Sequence, residues 1–138
     1  MVFTISNTYG EPVLFDQNFK AEEIVTGINF PVQMDFVGDD LLVLEKNSGN
    51  VRLVRDGTLQ DEPVLHVEIV NLGHDGLLGI THVENTVYLY MTQETENPEE
   101  PLVNRIYKYK WNGENLVDPI LVNELPGNPR HDLSLIHI

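Results

Sequence analysis

Short apolar runs separated by clusters of Gly, Asn, Asp and Ser set the rhythm of this chain. Leu41-Leu42-Val43-Leu44 lies between Gly38-Asp39-Asp40 and Asn47-Ser48-Gly49-Asn50. Such clusters supply the positive-φ and side-chain-bonding residues that tight turns use. Val51-Arg52-Leu53-Val54-Arg55 returns with partly alternating character and meets a further turn at Asp56-Gly57. Tyr88-Leu89-Tyr90-Met91 is aromatic-rich, and Ile106-Tyr107-Lys108-Tyr109-Lys110-Trp111 alternates with the period of two of a half-exposed sheet. No segment offers a sustained helical stripe with caps. The pattern predicts a chain that is nearly all β.

The two halves can be laid on each other. Leu41-Leu42-Val43-Leu44 aligns with Val87-Tyr88-Leu89-Tyr90 (87 − 41 = 46), and Asn50-Val51-Arg52-Leu53 with Asn104-Arg105-Ile106-Tyr107 (104 − 50 = 54). Glu62-Pro63-Val64-Leu65 then meets Asp118-Pro119-Ile120-Leu121 (118 − 62 = 56), an acidic-Pro step suited to an edge strand. Generic strand composition could produce one such match; three blocks in the same order favour a repeat. A four-stranded unit recurring at roughly 40–50 residues is the mark of a β-propeller blade. The expected blades run from about Phe30 to Ile69 and from about Leu77 to Leu125. Gly10 to Ile28, with Val13-Leu14-Phe15 and Ile24-Val25, offers a strand to close a ring. Two blades alone leave edges and faces open, so the intact protein is expected to continue past residue 132.

Composition narrows the partners. The 138 residues carry 8 Lys+Arg against 22 Asp+Glu, a formal net charge of -14. That field repels polyphosphate, which disfavours nucleic acid and anionic membranes. A mean hydropathy of -0.18 and apolar runs of only a few residues fit a soluble domain with no membrane insertion in this segment. With 0 Cys, neither disulfides nor thiolate metal sites are available. Glu94-Thr95-Glu96-Asn97-Pro98-Glu99-Glu100 reads as a solvated acidic loop, matching no EF-hand spacing. No signal peptide is visible at the N-terminus.

Gly73-His74-Asp75-Gly76-Leu77-Leu78-Gly79-Ile80, a Gly-punctuated loop opening into a strand, is followed downstream by Pro129-Arg130-His131-Asp132. With Phe30-Pro31, Met34-Asp35-Phe36, Leu42-Val43-Leu44-Glu45-Lys46 and Gly49-Asn50-Val51, these segments resemble the glucose/sorbosone dehydrogenase family. Gly76-Leu77-Leu78-Gly79 resembles its GLLG core, Val87-Tyr88-Leu89-Tyr90 its aromatic strand and Asn104-Arg105-Ile106 the strand after the next loop. The resemblance covers about Phe30 to Asp132, the early part of the family's domain. It implies an all-β, partial six-bladed propeller and an enzyme that oxidises the anomeric hydroxyl of aldoses with pyrroloquinoline quinone (PQQ).

By that resemblance His131 is the general base on the anomeric hydroxyl, with hydride passing to the quinone. Imidazole suits the task because its unperturbed pKa is near neutrality. The polar residue expected next is present as Asp132, but Leu133-Ser134 replaces the expected Gly-Gly. His74 falls where relatives carry a Gln or Glu lining the cofactor pocket; it either hydrogen-bonds the quinone or caps its loop. Asp75 and Arg130 flank the same expected cavity, and Arg130 is a second cofactor-binding candidate. His66 and His82 read as packing or surface residues within strands. No histidine pair has the spacing of a zinc site, so no metal ligand is assigned.

The resemblance further implies Ca2+ as a second cofactor, a sugar substrate, an external electron acceptor and an extracytoplasmic (periplasmic or secreted) setting. The basic clamp and calcium ligands belong to later blades, so this chain alone is expected to be inactive. Leu133-Ser134-Leu135-Ile136-His137-Ile138 looks like a translated transposon-end sequencing adapter, and 133–138 are expected to be a non-native tail. A non-enzymatic β-propeller binding module remains the alternative, since fold does not fix function.

Overall fold

The computed structural model describes residues 14–16, 18–97, 99 and 101–126. Nine strands and no helix are found among them. The first sheet contains β1 (Pro31–Val37), β2 (Asp40–Glu45), β3 (Asn50–Arg55), β4 (Thr58–Leu59) and β5 (Leu65–His66). Its order is β1-β2-β3-β4, with β5 also pairing β3, all antiparallel. The second sheet contains β6 (Leu77–Val83), β7 (Thr86–Glu94), β8 (Leu102–Trp111) and β9 (Leu116–Pro126), ordered β6-β7-β8-β9 and again antiparallel. These are two propeller-like blades that do not close a ring.

Turn chemistry punctuates the strands as the composition predicts. Asp56 and Gly57, with φ of 51° and 71°, make the two-residue turn between β3 and β4 that needs positive φ at both positions. Gly49 follows β2 at φ +72°, and a Cβ there would lie 2.1 Å from the Val67 carbonyl oxygen. That close approach lets the Val67 amide donate to the Gly49 carbonyl at 2.9 Å and brings β5 alongside β3.

The sheets stack face to face. Leu42, Leu44, Val51 and Leu53 of the first meet Ile80, Val87, Leu89 and Met91 of the second, with Tyr109, Trp111 and Leu116 extending the core. The innermost strands β1 and β6 run side by side in one direction. The Ile80 amide donates to Gln33 Oε1 at 3.1 Å, and His82 Nδ1 lies 2.8 Å from Asp35 Oδ2. Farther out, the Leu116 amide donates to the Val64 carbonyl at 3.1 Å.

The internal repeat is visible in the ladders, with two corrections. Met34 pairs with Val43 and Ile80 with Leu89, an offset of 80 − 34 = 46 in β1 and 89 − 43 = 46 in β2. Even the register shifts coincide, at Pro31/Gln33 and Leu77/Gly79. The returning strands, however, align one residue beyond the expected offset of 54. Leu42 pairs with Leu53 and Tyr88 with Lys108, so Leu53 matches Lys108 (108 − 53 = 55). The fourth strand shifts more. Val51 pairs with Leu65 and Ile106 with Asn123, giving 123 − 65 = 58 instead of 56. Glu62-Pro63 lies off the ladder between β4 and β5, whereas Asp118-Pro119 lies within β9 at a register shift. Both prolines avoid a missing ladder bond, by different means.

Candidate functional site

The loop that enters the second sheet is fixed by one residue of the first. Lys46, immediately after β2, takes part through three groups. Its amide donates to the Phe30 carbonyl at 3.2 Å, and its carbonyl accepts from the Leu77 amide at 3.1 Å. Its Nζ donates to the Gly73 carbonyl at 2.6 Å and stands 5.7 Å from the centre of the Phe30 ring. Gly76 makes this approach possible: its φ is +147°, and a Cβ there would lie 2.6 Å from the Lys46 carbonyl oxygen. The Gly76 carbonyl in turn accepts from the Thr92 amide at 2.9 Å, which docks the loop on β7.

His74 sits on the exposed turn of this loop, and Asp75 beside it is buried. The Asp75 amide donates to the Leu72 carbonyl at 3.1 Å, closing the turn that presents the imidazole. His131 and Arg130, like 133–138, lie outside the described residues. The ladder does show where the chain leaves for them. Pro126 pairs with Val103, which pairs with Gln93, beside the Thr92 that holds Gly76. Entry loop and exit strand therefore share one end of the second sheet. His66 bonds Asn50 Oδ1 at 2.9 Å on the surface, and His82 bridges the sheets through Asp35.

Sequence reasoning missed Glu45, whose carboxylate is buried behind Lys46. Its Oε1 accepts from the Asn29 amide at 2.9 Å, and its Oε2 accepts from Ser48 Oγ at 2.7 Å and Asn50 Nδ2 at 3.0 Å. Arg52 Nη1 approaches Oε1 at 3.6 Å. Burial alone would raise the carboxyl's pKa. The Asn29, Ser48 and Asn50 donors and the Arg52 charge together outweigh it and hold the group below its ordinary value. The available signal was the spacing Glu45-x-x-Ser48-x-Asn50, which folds two polar side chains of a turn back over a strand-end carboxylate.

Farther out on the same end, Arg105 Nε donates to Glu124 Oε2 at 2.8 Å and Arg105 Nη1 to Gln93 Oε1 at 3.2 Å. Gln93 Nε2 reaches the Glu68 carbonyl at 2.8 Å, and a cleft of about 350 Å³ opens among these residues. A tricarboxylate such as PQQ needs several cations to hold it. Here Lys46 and Arg105 are already engaged, and Glu68, Glu94 and Glu124 crowd the same end. The described residues therefore do not supply a clamp for such a group. Nor do they include a cluster of three His, Asp or Glu side chains suited to calcium.

The opposite end is built on a different ion pair. Arg55 Nε and Nη2 donate to the two oxygens of Asp40 at 2.6 and 2.8 Å, and Nη2 also reaches the Gly113 carbonyl at 2.7 Å. Trp111 Nε1 lies 3.3 Å from Asp40 Oδ2. The Arg55 hydrogen bonds, aided by its charge and by Trp111, hold the Asp40 carboxyl below its ordinary value against the effect of burial. A groove of about 740 Å³ opens here, lined in part by Asp39, Asp56, Asn85, Lys110 and Asn112. This polar cluster joins β3 to the turn between β8 and β9, so its evident work is to pin the sheets together.

No protein-family model and no curated protein matches the sequence. Among solved structures, the chain is similar to a provisionally assigned oxidoreductase (glucose dehydrogenase) from Thermus thermophilus. The two share 29% identity at a TM-score of 0.60, over 83% of this chain and 33% of that one. The chain thus spans about a third of the length of the structure it matches, and what it shares with that protein is a glucose dehydrogenase-like β-fold.

Proposed function

We propose that the chain is the N-terminal part of a quinone-dependent sugar dehydrogenase, an oxidoreductase acting on the anomeric hydroxyl of aldoses. The observation that carries this reading is the likeness to the provisionally assigned oxidoreductase (glucose dehydrogenase) structure from Thermus thermophilus, at 29% identity over 83% of the chain. The shared end of the second sheet supports it. The loop bearing His74 enters at Gly76, and the strand leading toward Arg130 and His131 leaves at Pro126.

In this reading His131, 131 − 126 = 5 residues past β9, accepts the proton of the anomeric hydroxyl. A loop position suits a proton acceptor that must meet substrate in a cavity built by several sheets. PQQ is the redox group of this proposal and Ca2+ its companion, with most of their ligands outside the described residues. The electron acceptor is external and the setting extracytoplasmic.

The test is dye-linked aldose oxidation by the complete polypeptide after loading with PQQ and calcium. Activity that requires the quinone is the expected result, and a loaded, folded protein that oxidises no aldose removes the reading in favour of a binding module. His131→Ala is expected to abolish turnover with an unchanged melting temperature. Wild-type turnover in that variant removes the histidine from the chemistry.

A further inference from the structure

We propose that Phe30 is a saccharide-stacking platform, its ring taking the apolar C–H face of a pyranose beside the loop of His74. The ligand class rests on the sugar dehydrogenase reading, and the place rests on the backbone of this chain. Among the described residues, four other than glycine have positive φ: Phe30 at 50°, Asp56 at 51°, Glu84 at 54° and Asp118 at 55°. Asp56 and Glu84 occupy turns between strands, and Asp118 lies at a register shift of β9. Phe30 is the aromatic one of the four. A left-handed backbone strains a bulky L residue, and glycine would serve the same turn without that cost. Pro31 follows directly, which further narrows the conformations open to residue 30.

The chain is held on both sides of the strained residue. The Asn29 amide donates to Glu45 Oε1 at 2.9 Å, and the Phe30 carbonyl accepts from the Lys46 amide at 3.2 Å. Backbone strain that its surroundings hold in place gathers at sites with a task. Burial between the two sheets is not that task, because the Phe30 side chain lies outside their shared core. Lys46 Nζ stands 5.7 Å from the ring centre and donates to the Gly73 carbonyl at 2.6 Å. One lysine ammonium thus separates the ring from the loop that bears His74.

That neighbourhood suits a sugar ring. Small-molecule sites pair aromatic walls with a few polar groups, and a pyranose has an apolar face for the first and hydroxyls for the second. Phe30 supplies the wall. The His74 imidazole, which can donate or accept, supplies a partner for hydroxyls. A neutral polyol also escapes the long-range repulsion that a charge of -14 imposes on an anion.

The test is a saturation-transfer NMR titration of the complete polypeptide, loaded with PQQ and calcium, with methyl glucoside. This glycoside has no free anomeric hydroxyl, so its binding is read without turnover. Phe30→Gly removes ring and strain together. It is expected to bind the glycoside about tenfold more weakly, the loss of one aromatic contact. It should melt no lower than wild type, since relief of strain offsets the freer unfolded chain. Phe30→Tyr, which keeps the ring, should bind as wild type does. A Phe30→Gly protein with wild-type affinity overturns the proposal. So does one that melts markedly lower, because the ring is then a packing residue held against another part of the polypeptide. The two readings fail separately. Glycoside binding that depends on Phe30 in a protein that oxidises no aldose removes the dehydrogenase and keeps the platform, whereas aldose oxidation with unimpaired binding in Phe30→Gly does the reverse.

Discussion

Gly76 concentrates two requirements at one atom. Its φ of +147° strains any L side chain, and the space a Cβ would take is filled by the Lys46 carbonyl oxygen at 2.6 Å. That oxygen cannot retreat cheaply, because it accepts the Leu77 amide that starts β6. Gly73, at φ +63°, has nothing within 4 Å of its Cβ position. Gly73→Ala should therefore cost only backbone strain, about 1 kcal/mol. Gly76→Ala should cost about 3 kcal/mol or more, adding a backbone clash to strain. Urea unfolding of the two variants separates these, and equal losses would mean that the Lys46 contact does not hold the loop. The sequence showed Gly73-His74-Asp75-Gly76 as a loop but could not rank its glycines. The difference lies in a contact with Lys46, a residue distant in the chain. Glu45 was hidden likewise: in the sequence it stands only as the residue before Lys46, while its burial depends on Asn29, Ser48, Asn50 and Arg52 converging on it.

Among the strands, the faces decide what a substitution costs. Leu44 is fully buried between the sheets, so Leu44→Ala should lose about 2–5 kcal/mol, a transfer term plus a cavity term. Met34 points to the other side of the same sheet and is 61% exposed, so Met34→Ala should stay within about 0.5 kcal/mol in dilute solution. Denaturant midpoints measure the contrast; similar losses would contradict the assigned faces. The offset of 46 was legible because apolar residues alternate or run together against recognisable turn clusters in both copies. The second offset slipped by one because Asn50 and Asn104 look equivalent in the sequence, yet Asn50 pairs with Glu45 and Asn104 with Thr92. One residue of slip exchanges the faces of a strand, so the error matters for every side chain on β3 and β8. The acidic-Pro match failed for another reason: proline marks where a ladder bond is absent, and β4/β5 and β9 arrange that absence differently.

Over the whole molecule, the two sheets are pinned at both ends and between. Lys46 and Gly73 join them at one end, Gln33 with Ile80 and Asp35 with His82 along the inner strands, and Asp40, Arg55, Trp111 and Gly113 at the other end. Two carboxylates, Asp40 within this framework and Glu45 inside the first sheet, respond to acid in a defined direction. Asp40 and Glu45 are both held below their ordinary values of 3.8 and 4.5. A carboxyl with a depressed folded pKa binds fewer protons folded than unfolded, so its contribution is whole above the unfolded value. It is lost as pH falls below that value and through the depressed one. The melting temperature should therefore decline below about pH 4.5, in the range where these unfolded carboxyls begin to take up protons. Asp40→Asn removes one of the two titrations and leaves Arg55 without its anion. It should lower the melting temperature near neutrality and flatten the decline between pH 5 and 3. Arg55→Met, which removes the main cause of the Asp40 shift, should flatten it too. Melting curves recorded from pH 7 to 3 check this. If Asp40→Asn shifts the curve down uniformly without changing its slope, the Asp40–Arg55 pair does not carry the acid sensitivity of the sheet-to-sheet contact.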